Sequence, residues 1–284
     1  MNRKKSIWVK PVATLLILGA LLLILPNRAL DPWGLFNASK LVTLIFALTL
    51  LQGLGVLFSH MPGVKAGALL TGLFGGIVSS TATTAALARQ SRQTVSTSKN
   101  SAPIETLKFL SATAAMLIEG LAVLAIGATE IPHTVLLIFL GPLLATSVLI
   151  VMQSRRIDGA QINIADTEFR ILPILSLTGF IIGILAISKV LQLSFGQSGL
   201  STLTFLVSLF EIHGSLIANI QLFEAGEFKV QTLGNLMALS VAASYVSKLF
   251  LVYTLGSKGL AHRTAKLTAL ILLSLVLSWS ILFL

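Results

Sequence analysis

Nine apolar runs, most about twenty residues long, recur from one end of this chain to the other, with almost no charge inside them. They cover approximately Ile7–Leu25, Leu41–Ser59, Ala66–Ala88, Phe109–Ala128, Thr134–Met152, Ile171–Leu193, Leu200–Phe223, Thr232–Leu255 and Ala265–Leu284. Wound as α-helix, such a run matches the bilayer's apolar thickness, about 30 Å at 1.5 Å per residue. Hydrocarbon offers no water to peptide groups, so the chain must close its own hydrogen bonds as helices or as a sealed barrel. No alternating ten-residue pattern is present, which disfavours a barrel. The fold class expected is an all-α polytopic membrane protein.

Composition removes most other classes. With 55% hydrophobic and 11% charged residues, the chain is too apolar for an ordinary soluble domain. The net charge of +10 is dispersed over short loops, so it reads as membrane orientation and not as nucleic-acid binding. The absence of cysteine excludes disulfides, thiolate metal sites and a cysteine nucleophile. The N-terminal Met-Asn-Arg-Lys-Lys and the apolar run after it have the layout of a signal sequence without a small-x-small cleavage site, so an uncleaved first helix is expected. With barrels and targeting peptides set aside, the expected location is the bacterial inner membrane, multi-pass, with a cytoplasmic N-terminus.

Two runs are interrupted. The third carries Gly72-Leu-Phe-Gly-Gly-Ile-Val-Ser-Ser-Thr-Ala-Thr-Thr84 and the seventh Phe210-Glu-Ile-His-Gly-Ser215. Glycine with clustered polar residues at membrane depth marks helices broken where they line a cavity. Loop charge bears on how they run. If all nine runs span, about nine Lys/Arg fall inside and ten outside, which prefers neither orientation. If the third and seventh are re-entrant hairpins, fifteen fall inside and four outside (Arg28, Lys40, Lys189, Lys229), with Lys248 in the membrane. Folding back only one gives 13 to 6. The positive-inside rule favours two hairpins. Segments two to five and six to nine then share one layout, and the second copy must be inverted. The expected organisation is an N-terminal helix (1–30), a first repeat (31–152), a cytoplasmic loop (153–170) and a second repeat (171–284). The stretches Gln90–Leu107 and Gln153–Arg170 read as flexible cytoplasmic connections.

Only three charges lie deep inside apolar runs: Glu119, Glu211 and Lys248. A charge at that depth is costly and marks a functional site by default. Glu211 and His213 flank Ile212; on a regular helix they face apart, but an unwound turn ending at Gly214 brings both to one cavity. A carboxylate–imidazole pair suits proton coupling; it also suits a structural role holding the hairpin. Glu119 and Lys248 occupy matching places in the two repeats, where they would form a buried ion pair that locks or gates. Ser79, Ser80, Thr81, Thr83 and Thr84 crowd the first break. A half-helix starting near Ser80 would offer N–H groups to an anion or carbonyl, and the hydroxyls could instead ligate a dehydrated cation. The bland alternative is close packing with hydroxyls bonded back to their own helix. Ser215 and Asn219 are further ligand candidates on the second hairpin.

The stretch Leu25-Pro-Asn-Arg-Ala-Leu-Asp-Pro-Trp-Gly-Leu-Phe-Asn37 is followed by Gly67-Ala-Leu-Leu-Thr-Gly-Leu-Phe-Gly-Gly-Ile-Val-Ser-Ser-Thr-Ala-Thr-Thr84, and later comes Ala243-Ser-Tyr-Val-Ser-Lys248. Together they resemble the membrane family called domain of unknown function 4010, often fused after an MgtC/SapB-type domain; this chain begins where the fused domain would end. The resemblance implies a polytopic fold and an association with ion or solute transport, without a substrate. The chain departs from the family pattern at three points. Glu119 stands where an arginine is common, Glu211-Ile-His-Gly214 where the segment is commonly Asp-rich, and Ser244 where an asparagine commonly precedes the lysine by four residues.

The function expected is secondary transport of a small ion or polar solute, coupled to protons through Glu211 and His213. Alternatives are a flippase for a lipid-linked anion and a regulatory or assembly subunit. No nucleophile–base set or phosphate-binding loop points to an enzyme, and no cofactor or metal is expected. Expected partners are membrane lipids, the solute, and a second copy or an MgtC/SapB-like protein, with no nucleic acid.

Overall fold

A computed structural model describes residues 3–26, 38–39, 42–43, 45–46, 49–50, 64–94, 101–127, 133–157, 183, 187, 194, 196 and 198–283. Every described regular element is α-helical. The order is α1 (Arg3–Ile24), α2 (Val64–Thr94), α3 (Ser101–Gly127), α4 (His133–Ser154), α5 (Ser198–Ser208), α6 (Ile212–Glu224), α7 (Val230–Leu255) and α8 (Lys258–Phe283). Four stretches among the described residues are long and apolar enough to cross a membrane: Pro103–Gly127, Thr134–Ser154, Val230–Leu255 and Lys258–Ile281. Most of the runs expected over Leu41–Ser59 and Ile171–Leu193, and most of the loop 153–170, lie outside the described residues. The connection expected over Gln90–Leu107 is shorter than its composition suggests. Helix continues to Thr94 and resumes at Ser101, and Glu105, Leu107 and Lys108 are buried.

Helix α3 is the centre of the molecule. It packs against α2, α4, α6 and α8, and Phe109, Leu110, Ala112, Met116 and Leu117 are all buried. The outer helices show the opposite pattern. Leu144, Val148 and Val151 on α4 and Leu273, Val276, Leu277 and Ile281 on α8 are exposed, as side chains facing lipid are. Where α4 meets α8, a Cβ added at Gly141 would strike the Ser278 hydroxyl, so small residues bring these helices together.

Both interrupted segments bend sharply. In α2, Ser79 is extended (φ −171, ψ 107) between helical arms. A Cβ placed on Gly75 would lie 2.7 Å from Thr83 Oγ1. Eight residues of continuous helix would separate those positions by about 12 Å along the axis, so the chain folds back at Ser79. The second bend lies between α5 and α6. Thr204 on one arm bonds Asn219 on the other at 3.3 Å, and Leu200 packs with Leu222. Both pairs are centred near residue 211, where Glu211 is extended (φ −146, ψ 101).

The first arm of α2 reaches α3 through glycine. A Cβ at Gly72 would collide with the Lys108 carbonyl oxygen, and one at Gly76 would lie 2.6 Å from Ala112 Cα. This small-xxx-small spacing lets the two backbones touch, an arrangement that stabilises helix pairs in lipid. Gly72→Ala is therefore expected to destabilise the protein by about 1–3 kcal/mol despite the better helix propensity of alanine. Thermal unfolding in detergent checks this against Gly259→Ala, where an added Cβ meets nothing and no loss is expected.

Candidate functional site

The second break builds the site. Glu211 is the N-cap of α6, and its Oε1 accepts from the His213 backbone N–H at 3.0 Å. That bond replaces one intrahelical partner lost at the break, the ordinary reason a side-chain oxygen stands at a helix start. The same oxygen lies 2.9 Å from His213 Nδ1. The extended conformation of Glu211 thus turns its carboxylate onto a ring that helical spacing would have put on another face. The unwinding sits one turn earlier than expected: α6 starts at Ile212, and Gly214 is already helical.

His213 reaches a second carboxylate. Its Nε2 lies 3.2 Å from Glu119 Oε2 on α3, and neither atom has another hydrogen-bond partner. The Glu119 residue is 1% exposed, whereas the Glu211 side chain retains 36% of its surface. With Nδ1–H donated to ionised Glu211, a neutral imidazole presents a bare lone pair at Nε2. Two acceptors at this separation repel unless a proton sits on one of them. The contact between His213 and Glu119 therefore holds one proton, carried on the imidazolium or on the carboxyl.

Lys248 completes the group of deep charges, though not as an ion pair with Glu119. Its ammonium, fully buried, donates to Ser244 Oγ at 2.7 Å and to Met116 Sδ at 3.1 Å, and it acts electrostatically on Glu211. The two charges predicted to pair are parted because His213 takes the Glu119 carboxylate and Ser244, one turn back on α7, takes the ammonium. The sequence marked Ser244 only as a departure from the family pattern four residues before the lysine, and it did not single out Met116. Ser244 sits at i−4 from Lys248, a legible signal for a helix-face partner; nothing in the sequence marks Met116.

Both breaks rest on the same stretch of α3. Gly76, just before the first, packs on Ala112 and Ala115, and Leu216, just after the second, packs beside Gly120. Residues 112 and 120 are about 12 Å apart along a helix. This stretch is the middle of the apolar span Pro103–Gly127.

The remaining candidates are distributed around these breaks. Ser79 Oγ accepts from Ala82 N–H at 3.2 Å, capping the second arm of α2. Thr84 donates to the Ser80 carbonyl at 2.8 Å, and Thr83 faces Gly75. No hydrogen bond among the described residues joins Ser79, Ser80, Thr81, Thr83 or Thr84 to the charged group. Ser215 is 3.3 Å from Ser240 on α7, and Asn219 bonds Thr204. Among the described residues no group of three or more His, Asp or Glu is arranged to hold a metal ion. Both nitrogens of His213 already face carboxylates.

The family model described as Domain of unknown function (DUF4010) matches residues 46–256, a stretch that contains both breaks and all four charged residues. The chain belongs to the DUF4010 family. No curated protein and no solved structure matches it.

In this DUF4010 chain the two carboxylates and two cations balance when His213 and Lys248 are both protonated. Removing one charge leaves an uncompensated partner at membrane depth, which is strongly destabilising. Lys248→Met should lower stability by about 3–5 kcal/mol, and adding Glu211→Gln should recover part of that loss. Unfolding of the two single variants and the double variant in detergent reads the coupling; additive losses would contradict the shared balance.

Proposed function

We propose that this chain is a proton-coupled secondary transporter for a small ion or polar solute. The observation that carries the reading is a single imidazole held between two carboxylates at membrane depth, with one proton in the His213–Glu119 contact. A buried group tolerates net charge poorly. An anion entering beside the neutral cluster must bring a proton, and a cation must displace one. Proton and solute are coupled by that requirement alone. Glu211 and His213 exchange the proton, Glu119 holds its alternate position, and Lys248 sets the charge that must be balanced. The hydroxyls of Ser79, Ser80, Thr81, Thr83 and Thr84, with Ser215 and Asn219, line the solute's route where the two bends approach α3.

The architecture in this reading is a pair of inverted repeats whose hairpins re-enter a bacterial inner membrane from opposite faces. Several features support it. Both breaks are one extended residue whose side chain caps the helix after it. The first hairpin packs on both α3 and α7, and α6 likewise packs on both. Met116 and Lys248 touch although they are 132 residues apart, and Ser79 and Glu211 are separated by the same interval. A contact between equivalent positions is what a two-fold axis produces. Inverted repeats with broken helices meeting near the midplane are a transporter architecture.

Proteoliposomes with an entrapped pH dye test the function as inorganic ions and small organic acids are added outside one at a time. Wild-type protein is expected to change the internal pH with at least one of them. Glu211→Gln should abolish that change in protein that still unfolds cooperatively in detergent, though at a lower melting temperature than wild type. Undiminished pH movement in the variant would remove Glu211 from the coupling.

A further inference from the structure

Most hydroxyls buried in these helices are satisfied by their own backbone. Thr84, Ser111, Thr113, Thr146 and Thr264 each donate to a carbonyl three or four residues back. Such hydroxyls donate their proton to their own backbone. One group behaves differently. Ser240, Ser244 and Lys248 form an i, i+4 row on α7, and Ser215 and Asn219 form another on α6. Their side-chain bonds run to one another, to Thr204 or to Met116 Sδ on α3. Lys248 Nζ donates to Ser244 Oγ at 2.7 Å, Ser215 and Ser240 hydroxyls are 3.3 Å apart, and Thr204 meets Asn219 at 3.3 Å. Every member is buried. The remaining steps are single helical turns of about 5.4 Å, the gap that one bridging water closes.

The same region holds polar groups that the protein leaves unmatched. Ser208 Oγ and both polar atoms of Gln221 are buried without a partner, and both residues lie on the arms of the second hairpin. Buried polar atoms in native proteins are satisfied, by ordered water where protein cannot reach. At the base of that hairpin the character reverses: Leu200, Leu222 and Leu236 pack together with Phe228 against them.

We propose that the row Lys248, Ser244, Ser240, Ser215, Asn219 and Thr204 is a hydrated file that passes protons between the charged cluster and the base of the second hairpin. The hydroxyls of Ser244, Ser240, Ser215 and Thr204 and the waters between them both donate and accept, so a proton taken up at one end is matched by one released at the other; the Asn219 amide relays no proton and holds those waters in line. The proposal rests on reading the cluster as a proton site, and its test needs no substrate.

The chain has no native cysteine, so one introduced thiol gives a single S–H infrared band. Ser215→Cys, Ser240→Cys, Ser111→Cys and Thr146→Cys are each reconstituted in lipid and moved into D2O, and loss of the band is followed in time. Ser111 and Thr146 are as deeply buried but bonded to their own helices. Exchange at positions 215 and 240 is expected to be faster than at 111 and 146 by about tenfold or more, since it needs only local water access and not opening of a packed helix. Equal rates at all four positions would overturn the file. Positions 215 and 240 lie on different helices, so if one variant fails to fold the other still decides. Fast exchange combined with undiminished pH movement in Glu211→Gln would leave the file standing and remove the coupling. Slow exchange with Glu211-dependent pH movement would do the reverse.

Discussion

A helix broken in a packed, apolar interior strands peptide groups that have little water to turn to, and this chain breaks two. Each break survives because one extended residue supplies an oxygen to the helix after it: Ser79 to Ala82 N–H, Glu211 to His213 N–H. The rest of the centre follows from those two substitutions of side chain for backbone. At Ser79 the substitute is neutral, and the neighbourhood is glycine, alanine and hydroxyl. At Glu211 it is a carboxylate, which needs a counter-charge at that depth. His213 provides it from the next turn, Glu119 holds the other face of the ring, and Lys248 stands within electrostatic reach.

Packing and chemistry meet on α3. Its small residues Ala112 and Ala115 let the first bend come close, and one turn on, Glu119 and Gly120 receive the second. Bulk on this face would separate the two bends. The carboxylate is placed where the second hairpin brings an imidazole. The set of four charges is balanced, with Glu119 and Lys248 fully enclosed and Glu211 half-buried.

Much of this was legible in the sequence, and the parts that were not have definite causes. Apolar runs of membrane-spanning length fixed the helical class, because hydrocarbon leaves the backbone few alternatives. Glycine and hydroxyl clusters located the first break within a residue, at Ser79, and the second about one turn too late. Deep charges picked out Glu119, Glu211 and Lys248, since burial makes any charge conspicuous. Partnership was harder to read: matching places in two repeats suggested that Glu119 meets Lys248, yet His213 and Ser244 intervene. That choice depends on the rotation of α6 about its axis, and the rotation is set by the extended backbone of Glu211, which spacing rules for regular helices do not anticipate. Met116 was invisible because a thioether in an apolar run carries no signal until a lysine is found beside it.

The arrangement of two hairpins entering from opposite faces can be tested directly, because any cysteine introduced is unique. Single cysteines at Ser96 and at Glu227, labelled in intact cells with a membrane-impermeant thiol reagent, report the side of each loop. If both bent segments are hairpins, Glu227→Cys is labelled from outside and Ser96→Cys only after the membrane is opened. Labelling of both from the same face is the result for nine simple spans, and it would contradict the inverted arrangement on which a shared midplane site depends.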